Sequence, residues 1–219
     1  MKLNYEKIVK NEKIKRYIKK SDETLIAMGY TDHSFSHVMR VANLAETILS
    51  KLDYPAKDIE LAKIAGYLHD IGNVVNRKDH AQSGAIIALR LLEELDGDLE
   101  DILTIVSAIG HHDDSTAFPV NPITAAVILA DKSDVRASRV RNSDLSTFDI
   151  HDRVNYATKT SKLEIEKNKY IKLKLTIDTN FCPVMDYFEI FLDRMLLCKK
   201  AAEKLGLKFQ LVINKQKLL

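Results

Sequence analysis

The chain has 219 residues, 46% hydrophobic and 29% charged, the mix of a globular protein with enough apolar content for a real core. Its formal net charge of +2 gives no support for nucleic-acid binding. Cys182 and Cys198 form no C-x-x-C unit, so a disulfide framework is not expected, and with no apolar leader or bilayer-length run the expectation is a cytoplasmic protein without a membrane partner.

Residues 1–20 hold eight Lys/Arg, Lys2 among them, against Glu6 and Glu12. They read as the solvated face of a terminal helix, with an anion-attracting arm as the alternative. Ser34–Leu52 carries Val38, Val41, Ala42, Ala45, Ile48 and Leu49 at spacings of three and four, a helical stripe. Pro55–Ile71 is the next helix, with Gly72 as its C′ residue. Asp79 and Gln82 resemble a capping box, opening a helix to about Leu95. Leu99–Gly110 follows, and Asn121-Pro122 reads as N-cap and N1 of a helix through Asp131. Asp149–Lys159 adds one more.

The period then changes. Leu163, Ile165, Ile171, Leu173, Leu175 and Ile177 alternate with polar residues around "EKNKY", which predicts a β-hairpin over Lys162–Asp178. Val184, Phe188, Phe191, Met195, Cys198, Ala202 and Leu205 form the stripe of a long helix that Gly206 ends, before a strand at Lys208–Asn214. The stripe is read as core in preference to a dimer seam. The fold class is mainly α: a helical domain over residues 1–160 and a small ββαβ module over 161–219.

Six of the seven histidines fall in the helical region. In chain order the metal-type residues are His37, His69-Asp70, His80, His111-His112 and Asp131. Imidazoles and carboxylates suit Mn, Fe, Ni or Zn, whereas a thiolate site lacks its cysteines. Adjacent side chains on a helix point about a third of a turn apart. At a last turn running into glycine, His69 and Asp70 gain the freedom to face one target. A buried aspartate is costly unless paired or metal-bound, and Asp70 has two oxygens with which to bridge two cations.

The order H…HD…D, with "HSFSHVMRVANLA", "LHDIGN" and "ILADKSD", resembles the HD-domain superfamily of metal-dependent phosphohydrolases. The added "HAQSGA" and "GHHDD" resemble its two-metal, HD-GYP-like branch. The likeness covers about residues 33–134. It implies an HD-domain helical bundle in which His37, His69, Asp70 and Asp131 hold one metal. Asp70 would bridge to a second held by His80, His111 and His112. The implied cofactors are two divalent transition-metal ions per chain, Fe, Mn, Ni or Zn. The implied activity is hydrolysis of a phosphoester of a nucleotide or other small phosphorylated molecule by a metal-activated hydroxide, with Asp70 organising catalysis.

The chain departs from that branch in the short segment between Asp70 and His80, in Asn73 where the branch has lysine, and in lacking a GYP triplet. Cyclic-di-GMP specificity is therefore not expected. Phosphate contact falls to Lys78 and to Lys132, Arg136, Arg139 and Arg141, with Asp134 as a supporting or substrate-orienting acid. His33 is given a cap or substrate-side role. The expected partner is a small phosphate substrate, and a homodimer through the C-terminal module stays open. Two other readings use the same ligands: a di-iron HD-domain oxygenase, and a metal-containing sensor or binding module.

Overall fold

A computed structural model describes residues 3–113 and 117–219; Lys2 lies outside them. The N-terminal segment folds as α1 (Tyr5–Lys10) and α2 (Glu12–Ala27), each opened by an asparagine whose side chain accepts a backbone N–H. Ile14, Ile18 and Leu25 of α2 are buried, while Lys13, Arg16, Lys19 and Lys20 face solvent.

Three helices then form the heart of the molecule: α3 (Phe35–Lys51), α4 (Ala56–Leu68) and, later in the chain, α7 (Pro122–Lys132). Ser34 caps α3 at the N–H of Ser36, and Asn121 caps α7 at that of Thr124 with Pro122 in the first turn. Every residue from Ile123 to Ala130 is buried, which marks α7 as the central helix. At Gly66 the α3 backbone comes so near that a Cβ would lie 3.0 Å from Ala42 Cα.

Helix α4 stops at Leu68, short of the expected Ile71, and the chain continues as a 3₁₀ turn over Ile71–Val74. Gly72 is therefore not a left-handed C′ residue. It lies inside the turn, where a Cβ would come 1.9 Å from His80 O and 2.4 Å from Gly84 N. The glycine is needed for close approach by α5 (His80–Glu93). The capping box is also absent: Asp79 has φ 57° and makes no side-chain cap bond. Gln82 Nε2 instead points at Gly110 O, 3.5 Å away, at the end of α6 (Leu99–Gly110).

Helix α8 (Ile150–Ala157) is capped by Asp149 and runs straight into β1 (Thr158–Glu166), so the hairpin starts four residues before the expected Lys162. β1 pairs antiparallel with β2 (Tyr170–Ile177), with Leu163 opposite Leu173 and Ile165 opposite Ile171. After α9 (Val184–Lys204), β3 (Lys208–Ile213) joins β2 in parallel. A two-residue β4 (Gln216–Lys217) extends the sheet to four strands in the order β1-β2-β3-β4.

One apolar core runs from Leu3 to Ile213. Helix α9 packs between α7 and the sheet, so the C-terminal module shares its core with the helices. Both cysteines are free and buried. Among the described residues no helix is long and apolar enough to cross a membrane.

Candidate metal centre

Each metal-type side chain sits at or near a helix end, where the backbone can aim it inward. His37 lies in the first turn of α3. His69 and Asp70 follow α4 directly, His80 opens α5, His112 follows α6, and Asp131 is in the last turn of α7. His37, His69, Asp70, His80 and His112 are buried, and Asp131 nearly so.

Donor atoms of His37, His69 and Asp70 lie within 4.8 Å of one another, and Asp131 stands beside the two rings. His37 Nε2 is 3.3 Å from His69 Nε2, 3.5 Å from Asp70 Oδ2 and 3.3 Å from Asp131 Oδ1. His69 Nε2 is 3.2 Å from Asp70 Oδ2 and 3.7 Å from Asp131 Oδ1. Ligands about 2.0–2.2 Å from one ion stand about 2.8–3.6 Å apart in octahedral or tetrahedral arrangements. The other separations fall in that range, and His69 Nε2 to Asp131 Oδ1, at 3.7 Å, lies just beyond it.

The far side of each ring is tied down. His37 Nδ1 donates to Asp134 Oδ2 at 2.8 Å, His69 Nδ1 to Gly66 O at 2.7 Å, His80 Nδ1 to Arg77 O at 3.0 Å, and His112 Nδ1 to Ile109 O at 2.6 Å. A proton on Nδ1 leaves each Nε2 lone pair for the centre, the arrangement that orients metal-binding histidines. Asp70 Oδ2 and His112 Nε2 are buried without a hydrogen bond to any described residue. Such orphans cost free energy unless something absent from the protein chain meets them.

A second focus adjoins the first. His80 Nε2 lies 3.4 Å from Asp70 Oδ1, and donor atoms of Asp70, His80 and His112 all fall within 4.8 Å of one another. The two oxygens of Asp70 thus face different sets. Asn73, the residue that departs from the HD-GYP pattern, donates from Nδ2 to Asp70 O at 2.9 Å and Oδ1 at 3.0 Å and holds the carboxylate in place.

His111 does not join these groups. It caps the end of α6 half-buried, and belongs to none of the donor clusters among the described residues. Its Nδ1 is nonetheless buried without a hydrogen bond to any described residue. Lys78 is exposed and stands outside the cavity over the centre. Arg139 does reach the cavity wall, but donates to Asp134 O at 2.9 Å and Asp32 O at 3.0 Å. Arg136 Nε is 2.8 Å from Asp134 Oδ1, Arg141 pairs with Asp22 and Asp32, and Lys132 is buried between Asp113 and Asp131. His33 lines the cavity with its Nδ1 2.7 Å from Thr31 O.

Two residues escaped the sequence reading. Arg77 places Nη1 3.3 Å from His80 Nε2 and 3.7 Å from Asp70 Oδ1, and Nη2 3.4 Å from Asp113 Oδ2. Asp113 holds Lys132 with its other oxygen. The available signals were the position of Arg77 three before His80 and of Asp113 directly after the histidine pair.

The electrostatics suit cation capture. Burial disfavours ionised Asp70 and Asp131, yet His69 and His33 around the first, and Lys132 and His37 around the second, hold both well below the usual carboxylate range. Burial, with His69 and His80 nearby, pulls His112 down to about 3, so it stays neutral. Burial also opposes charge on His69, but Asp70 and Asp131 outweigh it and push that group up to about 10. The carboxylates therefore favour a positive charge at the focus, which a metal ion can supply.

A buried His/Asp centre at the helix ends of an α-bundle is thus the class of site this fold builds. Residues 34–139 match the family model of the HD domain, and that segment is an HD domain. It is 30% identical over 109 residues to an uncharacterised protein of Methanocaldococcus jannaschii, covering 43% of this chain and 42% of that one. It is 32% identical over 129 residues to ribonuclease Y 1 of Pediococcus pentosaceus, covering 56% and 22%. With ribonuclease Y of Bacillus subtilis the identity is 30% over 145 residues, covering 65% and 24%. The chain therefore spans less than half the length of these relatives.

Proposed function

We propose that the chain is a metal-dependent phosphohydrolase that cleaves a phosphoester of a nucleotide or other small phosphorylated molecule, at a centre built for two divalent cations. The observation that carries this reading is Asp70, whose Oδ2 faces His37 and His69 while its Oδ1 faces His80. Membership of the HD domain supports the reaction type. The ribonuclease Y relatives act, by their name, on RNA, whose backbone is also a phosphoester.

His37, His69, Asp70 and Asp131 would hold the first ion, and Asp70, His80 and His112 the second. Bound there, a divalent ion supplies Lewis-acid polarisation of a phosphoryl oxygen and brings the pKa of water towards 7. The protein's own part is positional. Asn73 and the anchored rings fix the donors, and the cavity of about 410 Å³ admits the ester and limits bulk water.

One observation favours a second reading, a one-metal hydrolase. The Arg77 guanidinium already stands among His80, Asp70 Oδ1 and Asp113 as a resident cation at the second focus.

The reading is tested by phosphate release from nucleotides, cyclic dinucleotides and generic esters, and by cleavage of an oligoribonucleotide, with protein loaded separately with Mn, Fe, Ni and Zn. Turnover of a small phosphoester that chelation removes is expected. Cleavage of the oligoribonucleotide alone would replace the substrate, and no phosphoester turnover with any metal would overturn the function.

A further inference from the structure

Four cations reach the cavity over the centre: Arg77, Lys132, Arg139 and Arg194. Three of them are committed. Arg77 lies beside Asp70 and Asp113, Lys132 is held between Asp113 and Asp131, and Arg139 donates to the main chain at Asp134 and Asp32. Neutralised in this way, they hold acids in place and offer little net attraction to an incoming anion.

Arg194 differs. It projects from α9 and makes no ion pair with any described residue; its guanidinium carbon sits 4.8 Å from the centroid of Phe191, which also lines the cavity. A guanidinium over an aromatic face keeps its charge and its planar fork of donors. The positive charge works against its neighbours: it opposes protonation of His151, after burial the largest influence there, and acts against Arg139 as well. The wall also carries Asp70, Asp113, Asp131, Asp134, Asp149 and Asp152, the first four of them paired with other cations, so Arg194 is left without an ion-pair partner among the described residues. Arg194 also borders a second cavity of about 310 Å³, whose wall holds Lys132 and Lys200 together with Asp113 and Asp193.

We propose that Arg194 is the residue that grips the substrate's phosphate, which makes the C-terminal module one wall of the substrate site. The inference rests on the phosphohydrolase reading above and adds its recognition element. A cavity of about 410 Å³ lies within the range of small-molecule pockets, about 300–1,000 Å³, so the ligand class is a phosphate ester of mononucleotide scale. The guanidinium fork suits two oxygens of one phosphoryl group.

The test titrates inorganic phosphate by calorimetry into metal-loaded wild type, Arg194→Ala and Arg194→Lys, with exposed Arg90→Ala as the control. Metal content and circular dichroism are measured on each. Arg194→Ala is expected to bind phosphate at least about tenfold more weakly with its metal content unchanged. Arg194→Lys should recover part of the loss, and Arg90→Ala should match wild type. The KM for whichever ester the wild type hydrolyses should rise in Arg194→Ala by a similar factor. Unchanged phosphate affinity in folded, metal-loaded Arg194→Ala overturns this inference while wild-type turnover leaves the phosphohydrolase reading standing. Wild type that neither binds phosphate nor hydrolyses any ester overturns both.

Discussion

Asp134 Oδ2 lies 2.8 Å from His37 Nδ1, and this contact decides which nitrogen of His37 faces the centre. Asp134 is almost wholly buried, with Arg40 Nε and Arg136 Nε each 2.8 Å from its Oδ1. It thus supports a metal-type side chain, the first of the two roles its position after Asp131 suggested. Asp134→Asn keeps the shape and removes the charge. Metal affinity should fall about 10–100-fold, read by competition with a chromophoric chelator. Unchanged affinity would mean that His37 needs no carboxylate behind it.

Arg77 occupies the second focus as a fixed positive charge. Arg77→Ala removes that charge and should tighten binding of the second ion by about tenfold or more, given Coulomb repulsion across a partly buried site. The readout is the number of ions per chain in a metal titration. If the variant and the wild type each take up two ions with equal affinity, the guanidinium does not compete for the site.

Gly72 lets the start of α5 lie against the 3₁₀ turn that follows Asp70. A methyl group there would meet main-chain atoms of α5, at His80 O and Gly84 N, which cannot swing away. Gly72→Ala should cost about 3 kcal/mol of stability, seen as a lowered midpoint in thermal denaturation. A variant as stable as wild type would show that the turn and α5 can part without penalty.

Burial pushes the Cys198 thiol up to about 12, and burial with Asp186 nearby pushes Cys182 up to about 11. Only the thiolate reacts with alkylating reagents, and raised values keep both groups protonated at pH 8. The native chain should therefore label far more slowly than the same chain in denaturant. The sign for stability follows: the unfolded thiols ionise first as pH rises past about 8.5, so folding weakens above that value. Rapid labelling of the native protein at pH 8 would place a cysteine outside the core.

Legibility in the sequence followed the range of the interaction. The stripe of α3, the Asn121-Pro122 start of α7 and the limits of α6 rest on neighbours within one or two turns, and all could be read directly. The HD-type spacing likewise singled out His37, His69, Asp70, His80, His112 and Asp131, which the fold gathers at one locus. The choice between His111 and His112 could not be read, because it depends on how the last turn of α6 faces its neighbours. Gly72 looked like a helix stop because nothing local announced that α5 would press on it. Asp113 matters through Arg77 and Lys132, brought to it from other segments, and Arg194 sits on a helix whose pattern spoke only of its apolar face. The start of β1 at Thr158 was hidden because α8 passes into it without a turn.

We propose that Asp70 joins two donor groups into one cation centre. Elemental analysis of purified wild type and Asp70→Ala, paired with phosphate release from the best substrate of the screen, tests it most directly. The wild type should carry bound transition metal and turn over, whereas Asp70→Ala should lose both while keeping its helical circular dichroism. A folded Asp70→Ala that retains its metal and its turnover would contradict the claim.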